Sequence, residues 1–141
     1  MLMERNAEII RGWPYDGSLD RYEPIKAGST LVNGDWVAKQ SDNTVDKSAA
    51  GASNKVGLVI VGNGDSGSAA YAGKAVVLWG NFLAKVSNYA AGAYAPGSPI
   101  TVKAGQVALG VEGTDPIVGF VLDVVAAAAG VTTAHLVIKV A

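Results

Sequence analysis

Cysteine is absent from the 141 residues, so neither a disulfide nor a thiolate metal site can form, and redox chemistry says nothing about compartment. Charge is scarce as well: 11 Lys+Arg stand against 12 Asp+Glu, 16% of the chain, for a net charge of −1. That balance gives no electrostatic reason to expect nucleic acid or an anionic membrane as a partner. No apolar run approaches the ~20 residues that cross a bilayer. The opening "MLMERNAEIIRGW" carries charge through its apolar stretch, unlike a signal peptide. Long Glu/Lys-rich amphipathic stretches are missing too, which removes the usual material of surface helices.

What is present is glycine, 18 of them, set among valine and alanine in a chain that is 50% hydrophobic. The length suits one domain with a real core. Short Val-rich runs punctuated by Gly, Pro, Asn and Asp predict an all-β fold, a small Gly/Val-rich β-barrel or sandwich. Strands are expected over residues 29–32, 35–40, 56–61, 75–79, 82–86, 99–102, 106–109, 117–125 and 134–140. Asn33-Gly34 reads as a hairpin turn and Gly80-Asn81 as a second tight turn. "SDNTVDKSAAGASN" reads as a polar loop. "VVAAAAGVTTA" is ambiguous between helix and turn, because alanine favours one and Gly130 with its β-branched neighbours the other.

The chain also echoes itself. "AGSTLVNGDWVAK" and "PGSPITVKAGQVAL" share a Gly-Ser, an apolar pair, a Gly turn and a short strand, and are followed by "KVGLVIVG" and "IVGFVLDV". Gly57 and Gly119 then stand at equivalent strand starts, where glycine permits a bulge or bend. The expectation is two echoing halves around one barrel.

Residues 1–24 differ from the β-domain expected over 25–141. All the arginines, Arg5, Arg11 and Arg21, lie here with Trp13, Tyr15 and Tyr22, and Pro14 and Pro24 discourage helix continuation. A short helix over residues 2–10 followed by extended chain is one reading. Arginine and aromatics are enriched at interface centres, which makes these six residues candidate contacts of an N-terminal arm. The other reading is a strap packed on the edge of its own domain.

"VIVGNGDSGSAAYAG" spells two enzyme motifs. Gly62 to Gly67 satisfies G-x-G-x-x-G, and Gly64-Asp65-Ser66-Gly67 matches the surroundings of a trypsin-like nucleophile. A dinucleotide site needs a helix after the glycines. Here Gly73 interrupts and a strand follows. A serine nucleophile needs a base, and His135, the sole histidine, lies in the last strand and in the wrong chain order. The segment therefore reads as a connection between strands. No close carboxylate pair suggests a glycosidase, and Asp42, Asp46 and Asp65 read as solvated loop carboxylates. The expectation is a chain that is not an enzyme and needs no cofactor or metal.

The run "KVGLVIVGNGDSGSAAYAGKAVVLWGNFLAKVSNY", with "YAPGSPITV" and "VGFVLDV", resembles the capsid decoration (cement) proteins of tailed bacteriophages. The shared pattern is a G-x-x-hydrophobic opening at residues 28–31, a VG-x-V strand at 56–59 and a K-x-V-V-L-x-G-x-F pair at 74–82, and the likeness covers roughly residues 25–125. The resemblance implies a β-rich virion protein on the outer capsid surface, often a homotrimer, that clamps major capsid protein subunits. It also implies an arm that adds a strand to a capsid subunit, here Arg5, Arg11, Trp13, Tyr15, Arg21 and Tyr22. The alternatives are another virion module (tail, neck or head-fibre base) or a carbohydrate-binding domain. Exposure of Trp36 or Trp79 beside polar groups would favour sugar binding, and burial would favour a structural role.

Overall fold

The computed structural model describes residues 7–12, 20–49, 56–66, 73–131 and 133–140. Within them the chain is all-β, with eleven strands in two antiparallel sheets. Sheet A holds six strands in the order β1 (Ala7–Gly12), β7 (Phe82–Val86), β11 (His135–Val140), β10 (Gly119–Val125), β8 (Pro99–Lys103) and β9 (Gln106–Leu109). Sheet B holds five: β2 (Asp20–Pro24), β6 (Lys74–Leu78), β5 (Val56–Val61), β3 (Trp36–Lys39) and β4 (Val45–Lys47).

The barrel does not close. Where sheet A could continue into sheet B, the β8–β9 turn meets the start of β3 and the chain just beyond β4 through isolated bonds, Trp36 N–H to the Gly105 carbonyl (3.0 Å) and Ala104 N–H to the Ala49 carbonyl (2.8 Å). Single bonds at a turn do not build the continuous ladder that closure requires. The sheets pack face to face instead. Trp36, Leu58 and Leu78 of sheet B meet Phe82, Val86, Val121, Leu136 and Ile138 of sheet A in the main core. Trp36 and Phe82 stack across it, ring centroids 6.2 Å apart.

Sheet B is buried on its other face too. Val37, Val45, Val59, Ala75 and Val77 form a second cluster there, and Leu31, with Ile25 and Trp79, covers it. Two buried faces explain why "VGLVIV" of β5 is continuously apolar rather than alternating. They also explain β4: Val45 caps the second cluster from inside a stretch whose polarity reads as loop.

The echo survives in detail. In both glycine-led strands the register slips at the same place, between Val59 and Val61 of β5 and between Val121 and Asp123 of β10. Both Gly-Ser sites are turns with the glycine at positive φ, Gly28 (84°) and Gly97 (89°). The Gly turns of the two echoing halves differ. Asn33-Gly34 turns with only Gly34 at positive φ, a type II pattern, and residues 29–32 form no strand. Ala104 (51°) and Gly105 (77°) are both positive, the type I′ pattern that joins β8 to β9. Gly80-Asn81 carries the chain from one sheet to the other. The alanine run closes as a tight turn in which Ala128 and Val131 exchange backbone bonds of 2.8 and 2.9 Å, without a helix.

Residues 7–12 are strand rather than helix, and residues 2–6 lie outside the described part. β1 pairs with β7 from Ala7↔Val86 to Gly12↔Phe82, and β2 with β6 from Asp20↔Leu78 to Pro24↔Lys74. β1 thus lies at one edge of sheet A and β2 at one edge of sheet B.

Candidate functional site

The Gly62–Ser66 turn is a clamp on the segment that covers the second core. Asn63 Oδ1 accepts from Leu31 N–H (2.7 Å) and its Nδ2 donates to the Ser29 carbonyl (2.9 Å). Asp65 Oδ2 accepts from both Asn33 N–H and Gly62 N–H (2.7 Å each), and Gly64 N–H donates to the Leu31 carbonyl (2.9 Å). A side chain at Gly62 would stand 2.0 Å from the Leu31 carbonyl oxygen, so only glycine fits. Asp65 and Asn63 are thereby occupied by backbone, and Ser66 is exposed at the end of the turn. His135 Nδ1 donates to the Thr133 carbonyl (3.1 Å), in register with Val125 on β10. Among the described residues no group of three or more His, Asp or Glu side chains could hold a metal ion.

Asn33 extends the clamp to the strap. Its Oδ1 accepts from Ala7 N–H (2.9 Å), and its Nδ2 donates to the carbonyls of Ala7 (3.1 Å) and of Ile60 (2.9 Å), the bulged residue of β5. A bulge leaves a carbonyl outside the ladder, and the buried amide satisfies it. Asp35 beside it accepts from Val32 N–H (2.9 Å), and burial pushes its carboxyl up despite that bond and nearby Lys47. At the surface end of the same segment Asp46 is held down, first by the Ser29 hydroxyl (2.7 Å) and further by Lys47 N–H and Lys26.

Of the six arm residues, Arg5, Trp13 and Tyr15 lie outside the described residues. Arg11 stands in β1 at the edge of sheet A, opposite Leu83, while Arg21 and Tyr22 stand in β2 at the edge of sheet B, opposite Val77 and Val76. Tyr22 is 65% exposed.

Sequence reasoning missed the more distinctive surface, on β10. Phe120, Leu122 and Val124 are 41–42% exposed, with Ile117 and Val111 nearby in the preceding loop. Loop backbone meets the edges at β9 and β4. Ala90 N–H bonds the Val107 carbonyl beside β9 (2.7 Å), and Lys26 N–H bonds the Val45 carbonyl beside β4 (3.0 Å). On β10 the cover stops halfway. Gly119 and Phe120 pair with Ile100 and Pro99 of β8, and Val121 exchanges bonds with Ser98 and Gly97 (2.9 and 2.7 Å). There the chain turns away through Ser98 N–H to the Ala95 carbonyl. Past Val121 no described strand lies on that side of β10, while β11 continues on the other side to Val125↔His135.

Register fixes which groups face the gap. Val121 pairs with Ile138 and Val124 with Leu136, two residues apart on β11, so both β10 residues turn their backbone groups the same way, away from β11. Both side chains also share the core face. Val121 is fully buried, yet Val124 is not, because no described strand lies beside it there. Val124 N–H is met by the carboxylate of Asp123 (2.9 Å). No family model, curated protein or solved structure matches the chain.

Trp36 is fully buried, and Trp79 is half-buried over the second core. Trp79 borders an open cleft of about 360 Å³ with Glu23, Lys39 and Asn43. The Glu23 carboxylate and Lys39 ammonium are engaged with each other, so the charged groups of that cleft tie β2 to β3. The signal that could have revealed β10 is Asp123. One carboxylate inside "GFVLDVV" is a rung that cannot face a dry core.

Proposed function

We propose that the chain is a virion structural protein of a tailed bacteriophage. It binds the outer capsid surface as a homotrimer and stabilises contacts between major capsid protein subunits, with β10 as a contact surface. Two things support this reading: the resemblance of residues 25–125 to capsid decoration proteins, and the half-open β10 edge with Phe120, Leu122 and Val124 exposed along it. The second carries it. Exposed apolar residues on a strand whose edge is half open are what a protein contact uses and what a free surface avoids. Tyr22, on the edge of sheet B, and the arginines of the strap belong to the proposed attachment surface as well. Modest contacts of each copy gain strength from the closed ring of three through avidity.

The test is co-sedimentation with heads assembled from the major capsid protein of the same genome, followed by cryo-microscopy. The wild-type chain should decorate three-fold or quasi-three-fold positions. Leu122→Lys and Val124→Lys should lose occupancy while melting normally. Heads that never bind the wild-type chain would overturn the reading.

A further inference from the structure

We infer that the open half of β10 accepts an extended strand from a partner protein, and that Asp123 selects a strand carrying arginine or lysine at the rung it faces. The inference rests on β10 as a protein contact surface and names the chemistry of what docks there.

Three observations converge on a strand rather than a flat patch. The backbone of Val124 points into the gap, as Val121 points at Ser98, so the ladder that ends at Val121 has a position ready to continue. Val124 lies on the core face but is 41% exposed, so a strand laid beside it would extend the main core by one column. Leu122, exposed at the bulge between Val121 and Asp123, offers an apolar contact beside the same edge. An incoming chain would thus gain main-chain bonds together with apolar contacts, the combination on which strand addition depends.

Asp123 decides what kind of strand. Its Oδ1 holds Val124 N–H at 2.9 Å, a side-chain substitute for the missing carbonyl. Native edges are commonly blunted by charge, and this plug swings away with one side-chain rotation. When a partner carbonyl takes the N–H, the displaced carboxylate needs a new partner. Unpaired, it would oppose docking, whereas a guanidinium or ammonium across the rung converts the displacement into a charge-assisted pair. A second copy of this chain is a poorer occupant. Pairing two β10 edges about a two-fold axis sets each Asp123 close to its equivalent, and like charges facing each other destabilise a sheet.

The test uses the full-length, isotope-labelled chain and two short peptides of alternating valine and threonine, one with a central arginine and one with glutamate there. The arginine peptide should shift the backbone amides of residues 122–126 and bind about tenfold more tightly than the glutamate peptide. Asp123→Asn, which keeps an oxygen for Val124 N–H, should erase that preference without changing the melting temperature. Equal binding of the two peptides, or shifts confined to other strands, would refute the inference. So would a concentration-dependent dimer in sedimentation that Val124→Lys abolishes, because the edge then belongs to a second copy. Failure of the chain to decorate heads would count against the functional reading alone, since the peptide experiment contains no capsid.

Discussion

Replacing Asn33 by alanine tests whether one side chain pins the N-terminal strap to the body of the protein. The amide makes bonds of 2.9, 3.1 and 2.9 Å to Ala7 N–H, the Ala7 carbonyl and the Ile60 carbonyl, and the residue is 8% exposed. Removing a buried partner leaves each of those backbone groups unsatisfied at about 1 kcal/mol or more apiece. The sum is roughly 3 kcal/mol, about a hundredfold in the folded-to-unfolded ratio, if β1 stays in place. The protein has a cheaper escape. β1 is an edge strand, so it can undock from β7 and let water reach Ala7 and Ile60. The urea midpoint would then fall less, but the amides of residues 7–12 would lose hydrogen-exchange protection. Asn33→Asp keeps the acceptor for Ala7 N–H, loses both donated bonds, and should fall between. Urea unfolding and hydrogen exchange together decide the matter. An Asn33→Ala variant with a stability loss under ~0.5 kcal/mol and protected β1 amides would refute the pin.

Gly62→Ala should cost about 2–3 kcal/mol in urea unfolding, since its Cβ meets the Leu31 carbonyl oxygen. Gly64→Ala meets the methyl ends of Val32 and Thr30 at 2.7 and 3.0 Å and the Leu31 carbonyl oxygen only at 3.3 Å, and should cost about 1 kcal/mol. Exposed Ser66→Ala should leave stability unchanged; the reverse ranking would mean the clamp is misassigned. Asp35 is harder to ionise folded than unfolded, so its contribution is full below the ordinary carboxylate range and is lost as pH rises through its folded value. The urea midpoint of Asp35→Asn should therefore improve against wild type between about pH 3 and pH 7. Asp46 is the opposite case, contributing above the ordinary range and losing that contribution as pH falls through its lowered value. Ser29→Ala should accordingly cost more at about pH 7 than at about pH 3. Deleting residues 1–24 strips β1 and β2, the Glu23 partner of Lys39 and buried Ala7, and bare β6 and β7 edges should then aggregate in size-exclusion chromatography. A monodisperse truncated chain with an unchanged urea midpoint would show that the strap is dispensable.

The all-β fold and most of its strands are legible in sequence. The bounds of β5, β7 and β9 follow from apolar runs ending at Gly, Asn or Ser. Local pattern fails where distant chain decides. Val45 is a single valine in a polar stretch, and only its place under Ile25 and Leu31 makes β4 a strand. Residues 7–10 suit a helix by spacing, but the open flank of β7 recruits them. Asn-Gly is the stronger hairpin signal, yet residues 29–33 are held by Asn63 and Asp65, and residues 29–32 form no strand with β3. The β10 edge was hidden for the same reason. Within "GFVLDVV" only Asp123 hints at an open face, and nothing local tells that β8 begins at Pro99 and leaves half of β10 uncovered.

The strand order of sheet A also sets when the molecule can fold. β11, residues 135–140, lies between β7 and β10, and its pairs reach back to Phe82–Val86. Until it is available, β7 and β10 are two unjoined edges and the sheet is in two halves. β1, first in sequence, must likewise wait for β7. Contacts of such long range carry a high loop-closure cost before they return any stability, which slows folding. A ribosome-bound chain therefore presents apolar edges through most of its synthesis. Stalling before residue 135 should leave a species that aggregates, and yield at high expression should depend on how quickly β11 inserts.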